Sequence, residues 1–151
     1  MKEQQGIVFV VSVAIIHRDK VLIIKENKAS ARNRWNYPSG RVEYGEDIMD
    51  AARREAKEET GYDIRLTSTT GVYNFTSSTK QQVVLFHFMG EIIGGSLRLD
   101  PTEIADACWI LPGELSNSDV LELRDREVMM QITNNVISKK VYPLTLFHSK
   151  L

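Results

Sequence analysis

Three glutamates stand out for what their spacing allows. Glu55, Glu58 and Glu59 fall in a stretch, Glu46 to Thr60, that holds no Gly or Pro and contains Ala51, Ala52 and Ala56. Such a composition favours a helix. Gly61, directly after it, is the residue type that commonly ends a helix in a left-handed conformation. Each helical residue turns about 100°, so with Glu55 at zero, Glu59 lies about 40° to one side and Glu58 about 60° to the other. Three carboxylates then share one narrow face. Met49, Ala52 and Ala56 form an adjoining apolar stripe that suits a sheet, while Arg53 and Lys57 turn toward solvent. Like charges at helical spacing repel by a few tenths of a kcal/mol on an exposed surface, and by more once desolvated. A hard divalent cation resolves that conflict, because Mg²⁺ takes carboxylate, water and phosphate oxygens at about 2.1 Å. The alternative is a solvated face whose acids pair with Arg53, Arg54 and Lys57.

The elements that position this helix are legible on both sides of it. Ile7 to Ile16 is rich in β-branched residues with no helical period, as a central strand buried on both faces would be. Arg18-Asp19-Lys20 reads as a turn, and Val21 to Ile24 as a second strand antiparallel to the first. Asn27 to Asn33 is a polar loop. Ile64 to Phe75 and Gln82 to Ile93 read as strands, Gly94-Gly95-Ser96 as a break, and Ala107 to Leu111 as a short strand ended by Pro112. Val120 to Ile137 suits an amphipathic helix. The order predicts a mixed α/β domain over residues 1–151. Composition agrees: 42% hydrophobic and 26% charged residues are ordinary for a globular chain. A net charge of -1 argues against a surface that grips nucleic acid throughout. The apolar run at Ile7 is too short to span a bilayer. One cysteine, Cys108, can form neither an intrachain disulfide nor a Cys-rich zinc site, and reads as a small core residue. His17 and His87 lack spaced partners for a metal. These features predict a cytoplasmic protein.

The glutamate helix resembles the Nudix box, Gly-x5-Glu-x7-Arg-Glu-U-x-Glu-Glu-x-Gly-U with U bulky and apolar. Gly40, Glu46, Arg54, Glu55, Glu58, Glu59 and Gly61 match all of its fixed positions. At about 5–7% usage per residue type, such a match arises by chance on the order of once in a billion starts. Ala56 and Tyr62 depart mildly from the U positions. Trp35-x-Tyr37-Pro38-Ser39-Gly40 resembles the entry to a Nudix helix, and Glu103-Ile104 before Trp109 resembles the later acidic loop and strand. The ending Val141-Tyr142-Pro143-Leu144 is similar to the NudJ-like branch, which hydrolyses nucleoside di- and triphosphates and the diphosphates of thiamin and hydroxymethylpyrimidine. The resemblance covers residues 7 to 145.

The resemblance implies an α/β/α sandwich with a mixed β-sheet, and a hydrolase for phosphoanhydride bonds that uses Mg²⁺, or Mn²⁺ in its stead. It implies Glu55, Glu58 and Glu59 as metal ligands. The base is Glu55, Glu58 or Glu103, with Asp100 and Asp106 as rivals in the Glu103 loop. Arg54 orients the carboxylates. Gly40 allows a tight turn that aims backbone groups at the site, and Glu46 braces the loop against the helix start. Substrate contacts are expected from Arg32, Arg34 and Lys25 as phosphate donors, and from Tyr37, Tyr73 and Phe75 as stacking faces. The substrate is a small nucleotide or related diphosphate. Cleaning of the dNTP pool, ADP-ribose or nucleotide-sugar cleavage, RNA 5′-end hydrolysis and a nucleotide sensor without turnover are the competing readings. The expected assembly is a monomer or homodimer, without membrane partners.

Overall fold

A computed structural model describes residues 6–29 and 31–151. One strand organises it. β1 (Val8–His17) alternates its side chains between two packing layers, as a strand's period of two dictates. Val11, Val13 and Ile15 enter one core, and Val8, Val10, Ala14 and Ile16 face the other. Arg18 and Asp19 both adopt positive φ, the two-residue hairpin turn whose twist suits antiparallel strands, and lead into β2 (Lys20–Glu26).

Two short strands, β3 (Trp35–Asn36) and β4 (Ser39–Arg41), precede the helix α1 (Ile48–Thr60). The long hairpin β5 (Tyr62–Thr76) and β6 (Gln82–Gly95) and then β7 (Ile104–Ile110) complete the sheet. The main path runs β3-β2-β1-β6-β5, with β4 added on β1 and β7 on β2. β1 and β6 pair in parallel, Val8 opposite Val83 through Ile15 opposite Gly90, and the other pairs are antiparallel. The sheet is therefore mixed, as expected.

α1 covers one face. Ala51, Ala52 and Ala56 are fully buried against Val11, Val13, Leu22, Leu66 and Phe88. Their small side chains let the helix axis approach the sheet closely. Asp47 caps the helix by accepting from the Met49 and Asp50 amides, which stabilises such a terminus by about 1 kcal/mol. Gly61 closes it at φ 84°. The opposite face is covered by α2 (Pro112–Ser116) and α3 (Arg126–Ile137), with Leu115, Met129 and Ile132 packed on Tyr37, Tyr73 and Leu85. No helix among the described residues is long and apolar enough to cross a membrane.

Three expectations need correction. The second amphipathic helix begins at Arg126, not Val120. Residues 120–125 form bends and a turn around a single bridge instead, because Trp35 exchanges backbone bonds with Glu122 and Arg124 and Asp125 adopts φ 46°. The break expected at Gly94 and Gly95 lies within the end of β6, where Asp63 and Tyr62 pair with them. Cys108 is exposed, since β7 is paired only on its β2 side and turns that side chain outward.

Candidate active site

The loop before α1 and the helix itself are joined by one arginine. Arg54 grips Glu46 with two parallel bonds, Nε to Oε2 at 2.7 Å and Nη2 to Oε1 at 3.0 Å. The same Nη2 donates to the Arg41 carbonyl. Nη1 bridges Glu55 Oε1 at 2.8 Å and Glu58 Oε2 at 3.2 Å. Glu46 also accepts from the Glu43 amide, and its carboxyl is held below the usual range, chiefly by the bond from Arg54. Glu46 precedes the helix rather than opening it, so its bracing acts through Arg54.

The three glutamates differ sharply in setting. Glu58 is half-exposed. Glu55 is mostly covered and lies against Gly40: a Cβ at residue 40 would fall 2.0 Å from Glu55 Cδ. Burial pushes the Glu55 carboxyl up, against the pull of Arg54. Glu59 is only 1% exposed. Its Oε1 accepts from the Ser39 amide at 2.7 Å, and its Oε2 is buried with no hydrogen-bond partner among the described residues. Lys28 Nζ stands 3.6 Å from that oxygen. Burial pushes the Glu59 carboxyl up to about 8, only partly offset by Lys28 and the Ser39 amide.

A cleft of about 420 Å³ opens beside this face. Its wall includes Gly40, Glu55, Glu58 and Glu103 together with the apolar Val8, Val10, Phe75, Val83 and Leu85. Glu59 sits one layer behind the wall, and its two partners, Ser39 and Lys28, line the cleft. Glu103 is exposed, and its carbonyl accepts from the Asn27 amide, which ties the loop to the end of β2.

Not every expected residue reaches the cleft. Asp100 folds back on Thr102, and Asp106 lies on β7 bonded to the Ala107 amide. Tyr37 is fully buried with its hydroxyl on Thr133, and Tyr73 is buried with its hydroxyl on Thr70 and Asn135. Both belong to the core beneath α3 and offer no face to a ligand. Arg32 and Arg34 sit on the loop after β2 and are absent from the cleft wall, although Lys28 of the same loop lines it. Lys25 lies over the Trp35 ring, 5.8 Å from its centroid. Gly40 and Phe75 do line the cleft. The sequence reading missed Lys28, Arg41, Arg124 and Asp125, which the tertiary fold brings to the wall from three separate segments. No local pattern marks them.

The donor set suits a hard divalent cation. All three side chains offer carboxylate oxygens, and the orphaned Glu59 Oε2 is a buried polar atom for which a cation is the natural partner. As the side chains stand, no three His, Cys, Asp or Glu among the described residues converge closely enough to hold an ion. Arg54 Nη1 occupies the gap between Glu55 and Glu58.

The sequence profile described as the NUDIX domain matches residues 8–132. The putative 8-oxo-dGTP diphosphatase of Bacillus subtilis is 35% identical over 103 residues, covering 68% of this chain and 65% of that protein. The 8-oxo-dGDP phosphatase NUDT18 of Homo sapiens is 35% identical over 118 residues, covering 76% of this chain and 36% of that protein. The chain thus spans less than two thirds of the length of these curated relatives. A NUDIX hydrolase structure from Nitrosomonas europaea aligns with a TM-score of 0.83 at 28% identity, covering 95% of this chain and 97% of that one.

Proposed function

The chain belongs to the NUDIX domain family, and from that premise we propose that it is a Mg²⁺-dependent pyrophosphohydrolase that cuts a phosphoanhydride bond in nucleoside di- or triphosphates. The observation that carries the reading is Glu59: a fully buried carboxylate, on the same helix face as Glu55 and Glu58, with one oxygen that accepts no hydrogen bond among the described residues and has only the Lys28 ammonium, 3.6 Å away, as counter-charge. Such a group is costly unless something positive joins it.

Glu55, Glu58 and Glu59 would hold the cation. When bound, Mg²⁺ neutralises phosphate oxygens and acidifies a water. Arg54 keeps Glu55 and Glu58 aligned from the far side, and Glu46 in turn fixes Arg54. Gly40, without a side chain, leaves room for Glu55 and lets a phosphate approach the backbone. Phe75, Val8, Val83 and Leu85 give an apolar seat for a base. Glu103 is the assigned proton acceptor, since Glu55 and Glu58 are both engaged by Arg54, whereas the Glu103 carboxylate accepts no hydrogen bond among the described residues. The names of the Bacillus and human relatives, 8-oxo-dGTP diphosphatase and 8-oxo-dGDP phosphatase, support a nucleotide with a purine base.

Turnover is tested on 8-oxo-dGTP, 8-oxo-dGDP, the ordinary dNTPs, ADP-ribose, thiamin diphosphate and hydroxymethylpyrimidine diphosphate, each with Mg²⁺, Mn²⁺ or chelator. The expected result is metal-dependent hydrolysis of a nucleoside phosphate, with pyrophosphate or orthophosphate release identifying the bond. Preference for thiamin or hydroxymethylpyrimidine diphosphate would move the assignment to the NudJ-like branch. Absence of turnover on every member, with tight nucleotide binding, would make the chain a sensor instead.

A further inference from the structure

Arg124 is the cleft cation with the most constrained side chain. Its Nη1 reaches both oxygens of Glu26, at 3.0 and 3.2 Å, and Glu26 has no solvent exposure. Its backbone amide donates to the Trp35 carbonyl. The neighbouring Asp125 accepts from the Ser78 amide in the β5–β6 turn. Arg124 and Asp125 together therefore link the end of β2 to the β5–β6 turn. The Arg124 side chain is about a quarter exposed, and the residue lines the cleft. Among the described residues Nη2 makes no hydrogen bond, and Asp125 Oδ2 is 4.0 Å from Nε. Guanidinium carries five N–H donors in a rigid fork, so the contact through Nη1 anchors one end of it and leaves the donors of Nη2 and Nε free.

The other cations of the cleft are less suited to a ligand. Lys28 is committed to Glu59, and Arg41 is exposed with its Nη2 on Gln81. A di- or triphosphate brings several negative charges into a cleft already lined by Glu55, Glu58 and Glu103. A planar, permanently charged fork matches phosphate oxygens better than a flexible ammonium. A buried ion pair is weak as a stabilising device in itself, which leaves orientation of the exposed edge as its use here.

We propose that Arg124 is a substrate-binding residue, anchored at Nη1 by the buried Glu26 carboxylate so that its free N–H groups donate to a non-bridging phosphate oxygen of the nucleotide. Glu26 is then a positioning residue. The inference rests on the nucleotide-hydrolase reading but is tested apart from it.

Binding is measured by calorimetry with a methylene-bridged dGTP analogue, with inorganic pyrophosphate and with deoxyguanosine, on the wild type, Arg124→Gln, Arg124→Lys and the double variant Glu26→Gln/Arg124→Gln. The double variant removes both charges together, so no buried carboxylate is stranded if Arg124→Gln fails to fold. Loss of a charge-assisted hydrogen bond should weaken the analogue and pyrophosphate by about 10- to 100-fold. Deoxyguanosine and Mn²⁺ affinity, the latter read by electron paramagnetic resonance, should hold. Arg124→Lys should recover only part of the loss. Glu26→Gln should raise KM for the turned-over nucleotide more than it lowers kcat. Equal weakening for deoxyguanosine would mean a collapsed wall, and unchanged analogue binding would mean no contact; either overturns the assignment. If the wild type hydrolyses nothing in the substrate panel, the functional reading falls, and pyrophosphate binding alone decides Arg124. Wild-type failure to bind pyrophosphate as well would end both.

Discussion

Glu26 and Glu59 lie behind the same cleft, and both are lost to solvent. Glu26 is gripped on both oxygens by Arg124. Glu59 receives one backbone N–H and keeps its second oxygen bare, with Lys28 at 3.6 Å. Burial raises the carboxyl of each, and in both cases a cation pulls the other way. The pair separates two uses of a buried acid. One is neutralised inside the fold and holds a side chain still. The other has one oxygen that accepts no hydrogen bond among the described residues and only the Lys28 ammonium near it, on the helix face it shares with Glu55 and Glu58, the face proposed above to hold the cation.

Substitutions on the Glu59 side should act mainly on chemistry. The largest effect is expected from Glu58→Gln, which keeps size and helix propensity but removes a ligand charge. Turnover should fall on the order of a hundredfold or more, since even groups supporting a metal ligand are worth about 10–100-fold. The thermal midpoint should barely move, and wild-type rates at limiting Mg²⁺ would contradict the ligand assignment. Gly40→Ala comes next. The new Cβ collides with the end of a flexible Glu55 side chain, not with backbone, so the chain should fold with Glu55 displaced. A misplacement of about 1 Å can cost about a hundredfold in rate; circular dichroism and kcat measured together check this.

On the Glu26 side an effect on stability should accompany the effect on binding. Arg124→Ala strands Glu26, and removing one partner of a buried pair costs about 3–5 kcal/mol. The low end is expected, because the Glu26 carboxyl is already raised and can take up a proton. Urea unfolding of Arg124→Ala measures it, and restoration by Glu26→Gln would confirm the cause.

The smallest effect concerns pH. Glu59 is raised from 4.5 to about 8 in the folded chain. The native state therefore holds a proton that the unfolded chain has lost between those values. Stability of the metal-free protein should be greatest below about 4.5, as far as this group is concerned, and fall as pH rises toward 8. Glu46 and Asp47 are lowered and act oppositely, so their loss on acidification appears at lower pH. Glu59→Gln should flatten the decline between 4.5 and 8 without abolishing it, because Glu26 and Glu55 shift in the same direction. Midpoints measured across that range in chelator test it. Cation affinity should rise over the same range in the wild type.

Much of this was readable along the chain. The strand of Val8–His17, the glutamate helix and its Gly61 stop rest on local composition and on periods of about two and 3.6 residues. The carboxylate face follows from helical geometry alone. Other readings failed where contacts between distant segments outweighed local pattern. Residues 120–125 satisfy an amphipathic period, yet backbone bonds to Trp35 pull them out of the helix. Tyr37 and Tyr73 look like stacking platforms beside a motif, yet hydroxyl partners on α3 and β5 and the packing beneath α3 draw them inward.

Residue type and spacing thus determined which acids share a face, because neighbours on one helix are related by a fixed rotation. Only the tertiary structure decided how those acids differ. Burial of Glu59, cover over Glu55, exposure of Glu58 and the clamp of Glu26 on Arg124, 98 residues away, depend on which segments pack against them. Desolvation is set by that packing, and no local pattern encodes it.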